Sequence, residues 1–224
     1  MASEPVSYVN YLKVDELLSL QQPLSDGPEH DELLFIIIHQ TYELWFKQLL
    51  HELSRLRLLL REAKLHPALG TLKRVRTIMK TLVSQVDILE TMTPLEFNSF
   101  RARLEASSGF QSYQFREFER VFARPGIWDD VVEFLRVNSP NDAALEVESI
   151  LLTTYRDRPD LSLLLEGLVD LDEGIQEWRY RHVKMVERTI GSKQGTGGSS
   201  GADYLKSTLF KPAFPELWAI RAKF

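Results

Sequence analysis

With 224 residues, 44% hydrophobic and 26% charged, the chain can bury a core of its own, and its composition excludes a fibrous repeat or wholesale disorder. The absence of cysteine excludes disulfides, thiolate metal sites, cysteine nucleophiles and covalent haem attachment through C-x-x-C-H. A formal charge of -5 with both signs interleaved speaks against a nucleic-acid partner, and the longest apolar run, Leu33 to Ile38, is far too short to span a bilayer. The start "MASEPVSYVN" lacks a basic region followed by an apolar one, so a soluble cytoplasmic protein without a membrane partner is expected.

Leu and Val recur at three-to-four spacing along most of the chain, and sustained period-two alternation is missing, which predicts an all-α fold in one domain over residues 1–224. A short helix is expected over Val14 to Leu20, closed by "QQPLSDGPEHD". A long helix should run from Asp31 to Lys64 and end at "HPALG", and a second from Leu72 to Glu90. In "TMTPLEF" Thr93 suits the N-cap, Pro94 the first helical position and Glu96 the third, so the next helix starts at Pro94. A helical stretch near Tyr113 to Val121 precedes a breaker at "ARPG". Ser139 and Pro140 open a helix that ends near Arg158-Pro159, and the last long helix covers Asp160 to Ile190. The glycine-rich "GSKQGTGGSSG" and short helical pieces around "FPELWAIR" complete the chain.

Three polar side chains stand out on apolar faces. Leu33 to Ile38 is apolar all round, the mark of a helix wrapped by others, and Phe35 and His39 share one of its faces. In the last long helix Ile175, Trp178, His182, Met185 and Thr189 follow three-to-four spacing, which sets His182 in an aromatic and apolar stripe. Spacing alone makes each imidazole more often a hydrogen-bonded core residue than a ligand, although a lone imidazole in an apolar pocket also suits a proximal haem ligand. Arg101 emerges between Phe97 and Leu104 and needs an anionic partner, either an internal carboxylate or that of a ligand. The glycine-rich stretch reads as a flexible linker, or as a turn that brings backbone amides and the Thr196 hydroxyl to a ligand.

The blocks "YLKVDELLSLQ", "HDELLFIIIHQTYELWFKQLLHEL", "ILETMTPLEFNSFR", "SSGFQS", "WRYRH" and "IGSKQGTGGSSGADYL" resemble the tryptophan 2,3-dioxygenase family in order and nearly in spacing. The resemblance implies a multi-helix bundle with a haem pocket between long helices. It also implies a haem-dependent dioxygenase of tryptophan catabolism in the kynurenine pathway, cleaving the indole C2–C3 bond of L-tryptophan with dioxygen to N-formyl-L-kynurenine. Haem b would be bound non-covalently with His182 as the ligand of its iron. His39 matches the distal histidine that hydrogen-bonds the indole N–H; that N–H is a very weak acid, which favours orientation over proton removal. Arg101 and Thr196 match the groups holding the substrate carboxylate and ammonium, and Phe35, Phe97 and Leu104 match the walls of the indole pocket. Tyr8, Tyr11 and Leu12, on an N-terminal arm from Met1 to Val14, match residues that the family's homotetramer inserts into a neighbouring active site.

Between "GFQSYQFREFE" and "WRYRH" the chain is shorter than is typical of the family, in a region that there helps cover the haem and build the tetramer. Two rival functions remain at this level. One is haem-dependent monooxygenation of a tryptophan analogue such as β-methyltryptophan to an oxindole-type product, and the other is a helical haem-binding protein without turnover.

Overall fold

A computed structural model describes residues 5–27, 29–138, 146–196 and 201–224, the Tyr204 side chain excepted. Every regular element among the described residues is helical, as the periodicity predicts. The frame is three long helices: α3 (Asp31–Arg61), α4 (Leu65–Leu89) and α9 (Pro159–Ile190). Between them in the chain come α5 (Pro94–Arg101), α6 (Tyr113–Val121), α7 (Ile127–Asn138) and α8 (Val147–Asp157). Two short helices, α1 (Tyr8–Leu12) and α2 (Val14–Leu18), precede the frame, and α10 (Ala202–Lys206) and α11 (Pro215–Ala219) follow it.

The middle helix α4 packs on both of the others. It runs antiparallel to α3, with Arg74 on Glu52 and Tyr42 donating to the Leu82 carbonyl at 2.6 Å. It runs parallel to α9, with Arg76 on Asp170 and Arg181 on Glu90 at 3.1 Å. Gly167 sets the closeness of that second contact, because a Cβ there would lie 2.7 Å from a methyl of Leu72. The leucine stripes then meet in a closed core that includes Leu49, Leu53 and Leu56 of α3, Leu72 and Leu82 of α4, and Leu164, Leu165 and Leu168 of α9. A second, smaller cluster of Ile38, Leu89, Met92, Phe97 and Phe100 lies at the other end of the frame.

Local signals explain several boundaries. Thr93 caps α5 as the sequence suggests: its hydroxyl accepts from Glu96 N–H at 3.3 Å, and the Glu96 carboxylate accepts from Thr93 N–H at 2.6 Å. A cap of this kind contributes about 1 kcal/mol. α6 occupies the expected range.

Two expectations are corrected, one is met with a shorter range, and one falls outside the described residues. The stretch "HPALG" does not end a helix but lies in the first turns of α4, where Pro67 is tolerated because early N–H groups have no intrahelical partner. The break falls instead at residues 62–64, with Ala63 at φ 54°. The short helix expected over Val14 to Leu20 is observed as α2 (Val14–Leu18), and α1 precedes it across Lys13 at φ 55°. α7 was not expected at all, yet Ile127, Val131 and Leu135 repeat every four residues and are fully buried. The helix opening expected at Ser139–Pro140 lies outside the described residues; α8 begins at Val147. No helix among the described residues is long and apolar enough to cross a membrane.

Candidate active site

At the end of the frame opposite the leucine core, residues of α3 and α9 border a cavity of about 500 Å³, the size of a small-molecule or cofactor site. Phe35, His39, Phe97, Arg101, Leu104, His182 and Thr196 all border it. They come from four separate parts of the chain, 161 positions apart at the widest (Phe35 to Thr196), and only the fold brings them together. Tyr8, Tyr11 and Leu12 are not part of this cavity; the two tyrosines are 75% and 74% exposed on α1.

His182 sits on the α9 face with Trp178, whose ring stacks on the imidazole at 5.5 Å and 27°. Among the described residues it has no hydrogen-bond partner. Burial pushes its pKa down to about 4, and repulsion from His39 adds to the shift. A buried imidazole that stays neutral, with a ring nitrogen free toward a largely apolar cavity, is the donor a haem iron requires. The residues present therefore fit haem, and no group of three or more His, Asp or Glu among the described residues offers a site for a bare metal ion.

His39 lies across the cavity on α3. Its Nδ1 lies 2.7 Å from the Phe35 carbonyl, and because a carbonyl can only accept, Nδ1 carries the proton in this contact. Nε2 of the neutral ring is then an acceptor. Its ring lies 4.0 Å from that of Phe35, which also meets Phe97 at 5.9 Å and Phe100 at 5.6 Å. The accessible face of His39 is cavity surface hemmed in by protein, so desolvation lowers its pKa below the ordinary 6.5 despite the hydrogen bond to Phe35 and the nearby Glu43 carboxylate, which act the other way.

Arg101 ends α5 and is half-buried. Neither a fully buried position nor an internal carboxylate is observed: among the described residues its guanidinium pairs with no acid and donates instead to the carbonyl of Gln194 in the glycine-rich turn. The remaining N–H groups of the fork stay available to an anion. The same contact ties Arg101 to the segment that carries Thr196. The described residues of the glycine-rich stretch thus contribute to the wall of the cavity, with Gly195, Thr196 and Gly201 at its surface.

Several bordering residues were missed in the sequence. Glu43 lies four positions after His39 on the same helix face, a signal that could have been read. It accepts from Gln114 at 2.9 Å. Residues 107–112 lie in the block "SSGFQS" that carries the resemblance but were not singled out for the site, and Phe115 has no such signal; α6, which follows that block and carries Phe115, packs on α3.

Together these features define a class: an all-helical protein whose largely apolar cavity is bordered by two imidazoles and a guanidinium. A family model described as tryptophan 2,3-dioxygenase matches residues 1–124 and 141–224. A tryptophan 2,3-dioxygenase of Herpetosiphon aurantiacus is 53% identical, the alignment covering 98% of this chain and 99% of that one. Those of an Anaeromyxobacter species and of Caulobacter vibrioides are 49% and 41% identical, covering 98% and 99% of this chain and 96% and 99% of theirs. The chain belongs to the tryptophan 2,3-dioxygenase family. The family match omits 125–140, and the Herpetosiphon alignment runs over 258 positions against 224 residues here, so the relative carries residues that this chain lacks. No described residue of that unmatched stretch borders the cavity; α7 packs at the leucine end instead.

Proposed function

We propose that this chain, an oxidoreductase of the tryptophan 2,3-dioxygenase family, cleaves the indole C2–C3 bond of L-tryptophan with dioxygen and releases N-formyl-L-kynurenine. The observation that carries this reading is the convergence of two neutral imidazoles, one guanidinium and one hydroxyl on a single cavity with aromatic walls. Haem b, bound without a covalent link, would be held by His182 and supplies the binding and activation of dioxygen.

The remaining work falls to the chain's own side chains. The Arg101 fork pairs with the substrate carboxylate, and the Thr196 hydroxyl serves the ammonium end. His39, with its proton on Nδ1, accepts the indole N–H at Nε2, which fixes which edge of the ring faces the oxygen site. Phe35, Phe97 and Leu104 enclose the ring and exclude water, so each polar contact acts in a low-dielectric setting. His39 orients rather than deprotonates: a neutral imidazole of depressed basicity is a poor match for so weak an acid as indole N–H.

Monooxygenation of a tryptophan analogue is the less favoured outcome, since the family model and the named relatives are dioxygenases. The chain acts as one catalytic domain in the cytoplasm and assembles as a homotetramer, in which Tyr8, Tyr11 and Leu12 reach a neighbouring cavity. Exposure of both tyrosine rings on a short helix supports that assignment. The test is turnover of L-tryptophan by the reduced, haem-loaded protein under ¹⁸O₂. A product carrying both labelled atoms is expected, and a product carrying one label would move the chain to the monooxygenase reading. Light scattering on the same preparation checks the tetramer.

A further inference from the structure

Two described parts of the glycine-rich stretch meet at Gly201. Gly201 has φ 63°, a conformation that favours glycine, and a Cβ there would lie 2.9 Å from the Lys193 carbonyl oxygen and 3.4 Å from the Gly195 nitrogen. Gly191, at the start of the same stretch, also has positive φ, but a Cβ there would meet nothing within 4 Å. One glycine therefore answers only to backbone conformation, and the other also to a close approach of two backbone segments. The segment that Gly201 touches supplies the Gln194 carbonyl to Arg101 and the Thr196 side chain to the cavity. Beyond Gly201, α10 packs on α9 and adds a surface ion pair, Lys206 to Glu187 at 2.8 Å.

We infer that Gly201 is a positioning residue for the charged end of the ligand: its missing Cβ lets the chain return against residues 193–195, and that contact sets Arg101 and Thr196 together at the cavity. The inference rests on the proposed tryptophan site and names what holds its polar end in register. A side chain at 201 must push the 193–195 backbone away, and the Gln194 carbonyl moves with it. Arg101 then loses its fixed partner, and the fork and the Thr196 hydroxyl no longer converge. The indole walls, Phe35 and Phe97, belong to α3 and α5 and are untouched.

The experiment compares haem-loaded wild type and Gly201→Ala by isothermal titration calorimetry with two ligands. L-tryptophan carries the amino acid group, and 3-methylindole keeps the ring without it. The expected result is a dissociation constant for L-tryptophan raised at least tenfold, with that for 3-methylindole within twofold of wild type and the Soret band unchanged. Equal loss for both ligands, or loss for neither, overturns the inference. Failure of Gly201→Ala to fold, read by far-ultraviolet circular dichroism, also overturns it, because the glycine would then serve the fold and not the site. A wild type that binds 3-methylindole but not L-tryptophan would instead refute the proposed function, before any variant is considered.

Discussion

The two ends of the α3–α9 pair are made from the same helices and do opposite things. At one end Leu53 and Leu56 of α3 and Leu164, Leu165 and Leu168 of α9 share, with α4 between the two helices, a core from which solvent is excluded. At the other end the same α3 presents Phe35, His39 and Glu43, and the same α9 presents Trp178, His182 and Met185, around open space. Aliphatic stripes interdigitate to close density. At the other end rings of the two helices meet, Tyr42 and Phe46 with Trp178, and the imidazoles of His39 and His182 border a cavity instead of a closed core. One end is a closed core that anchors the frame, and the other is a cavity of about 500 Å³.

The sharpest way to break this comparison is to remove the imidazole that the open end depends on. His182→Ala should abolish haem retention, read as loss of the Soret band, while helical circular dichroism stays at the wild-type level. A variant that keeps the band would show that the iron is held elsewhere.

Truncation should separate the two ends energetically. Leu53→Ala, in the closed core, should cost about 2–5 kcal/mol of unfolding free energy in urea titrations. Leu104→Ala, at the cavity wall, should cost less than about 1.5 kcal/mol of stability and show instead as a raised KM for L-tryptophan. Equal stability losses would mean that the cavity end is as tightly packed as the core.

Arg101→Ala should lower kcat/KM by about 2–4 kcal/mol in transition-state terms, because it removes a charge pair formed away from bulk water. Unchanged kinetics would take Arg101 out of the site.

The smallest effect is on the pH profile. His39 must be neutral at Nε2 to accept the indole N–H, and its pKa lies below 6.5. Activity is therefore present above that pKa and lost as pH falls through it. The acid limb of kcat/KM should lie below pH 6.5, and His39→Ala should flatten it. An acid limb above 6.5 would contradict a desolvated imidazole at this position.

Much of this was legible in the residues alone. Periodicity gave the helices, and "TMTPLEF" fixed the start of α5 because a capping box is a local interaction among neighbours. The stripe Trp178, His182, Met185 marked the cavity face of α9 for the same reason. What failed was also local in cause: "HPALG" reads as a breaker, but proline and glycine only break a helix where an N–H bond or a side chain is required, and the first turns of α4 require neither at those positions. Arg101 shows the opposite limit. Its spacing between Phe97 and Leu104 marked it for the site, yet its partner, a backbone carbonyl 93 positions away, could not be read from any pattern.

The sequence by itself determined that this protein is helical, which faces of α3 and α9 are apolar, and which imidazoles interrupt them, because those properties depend on residues within a turn or two of one another. Only the tertiary structure decided that the two imidazoles share one cavity, that described residues of the glycine-rich stretch contribute to its wall, and that Asp172, fully buried, accepts the Phe214 and Trp218 N–H groups to pin the chain's last turns against α9. Those outcomes depend on which helix surfaces meet, and that is settled by packing across the whole chain.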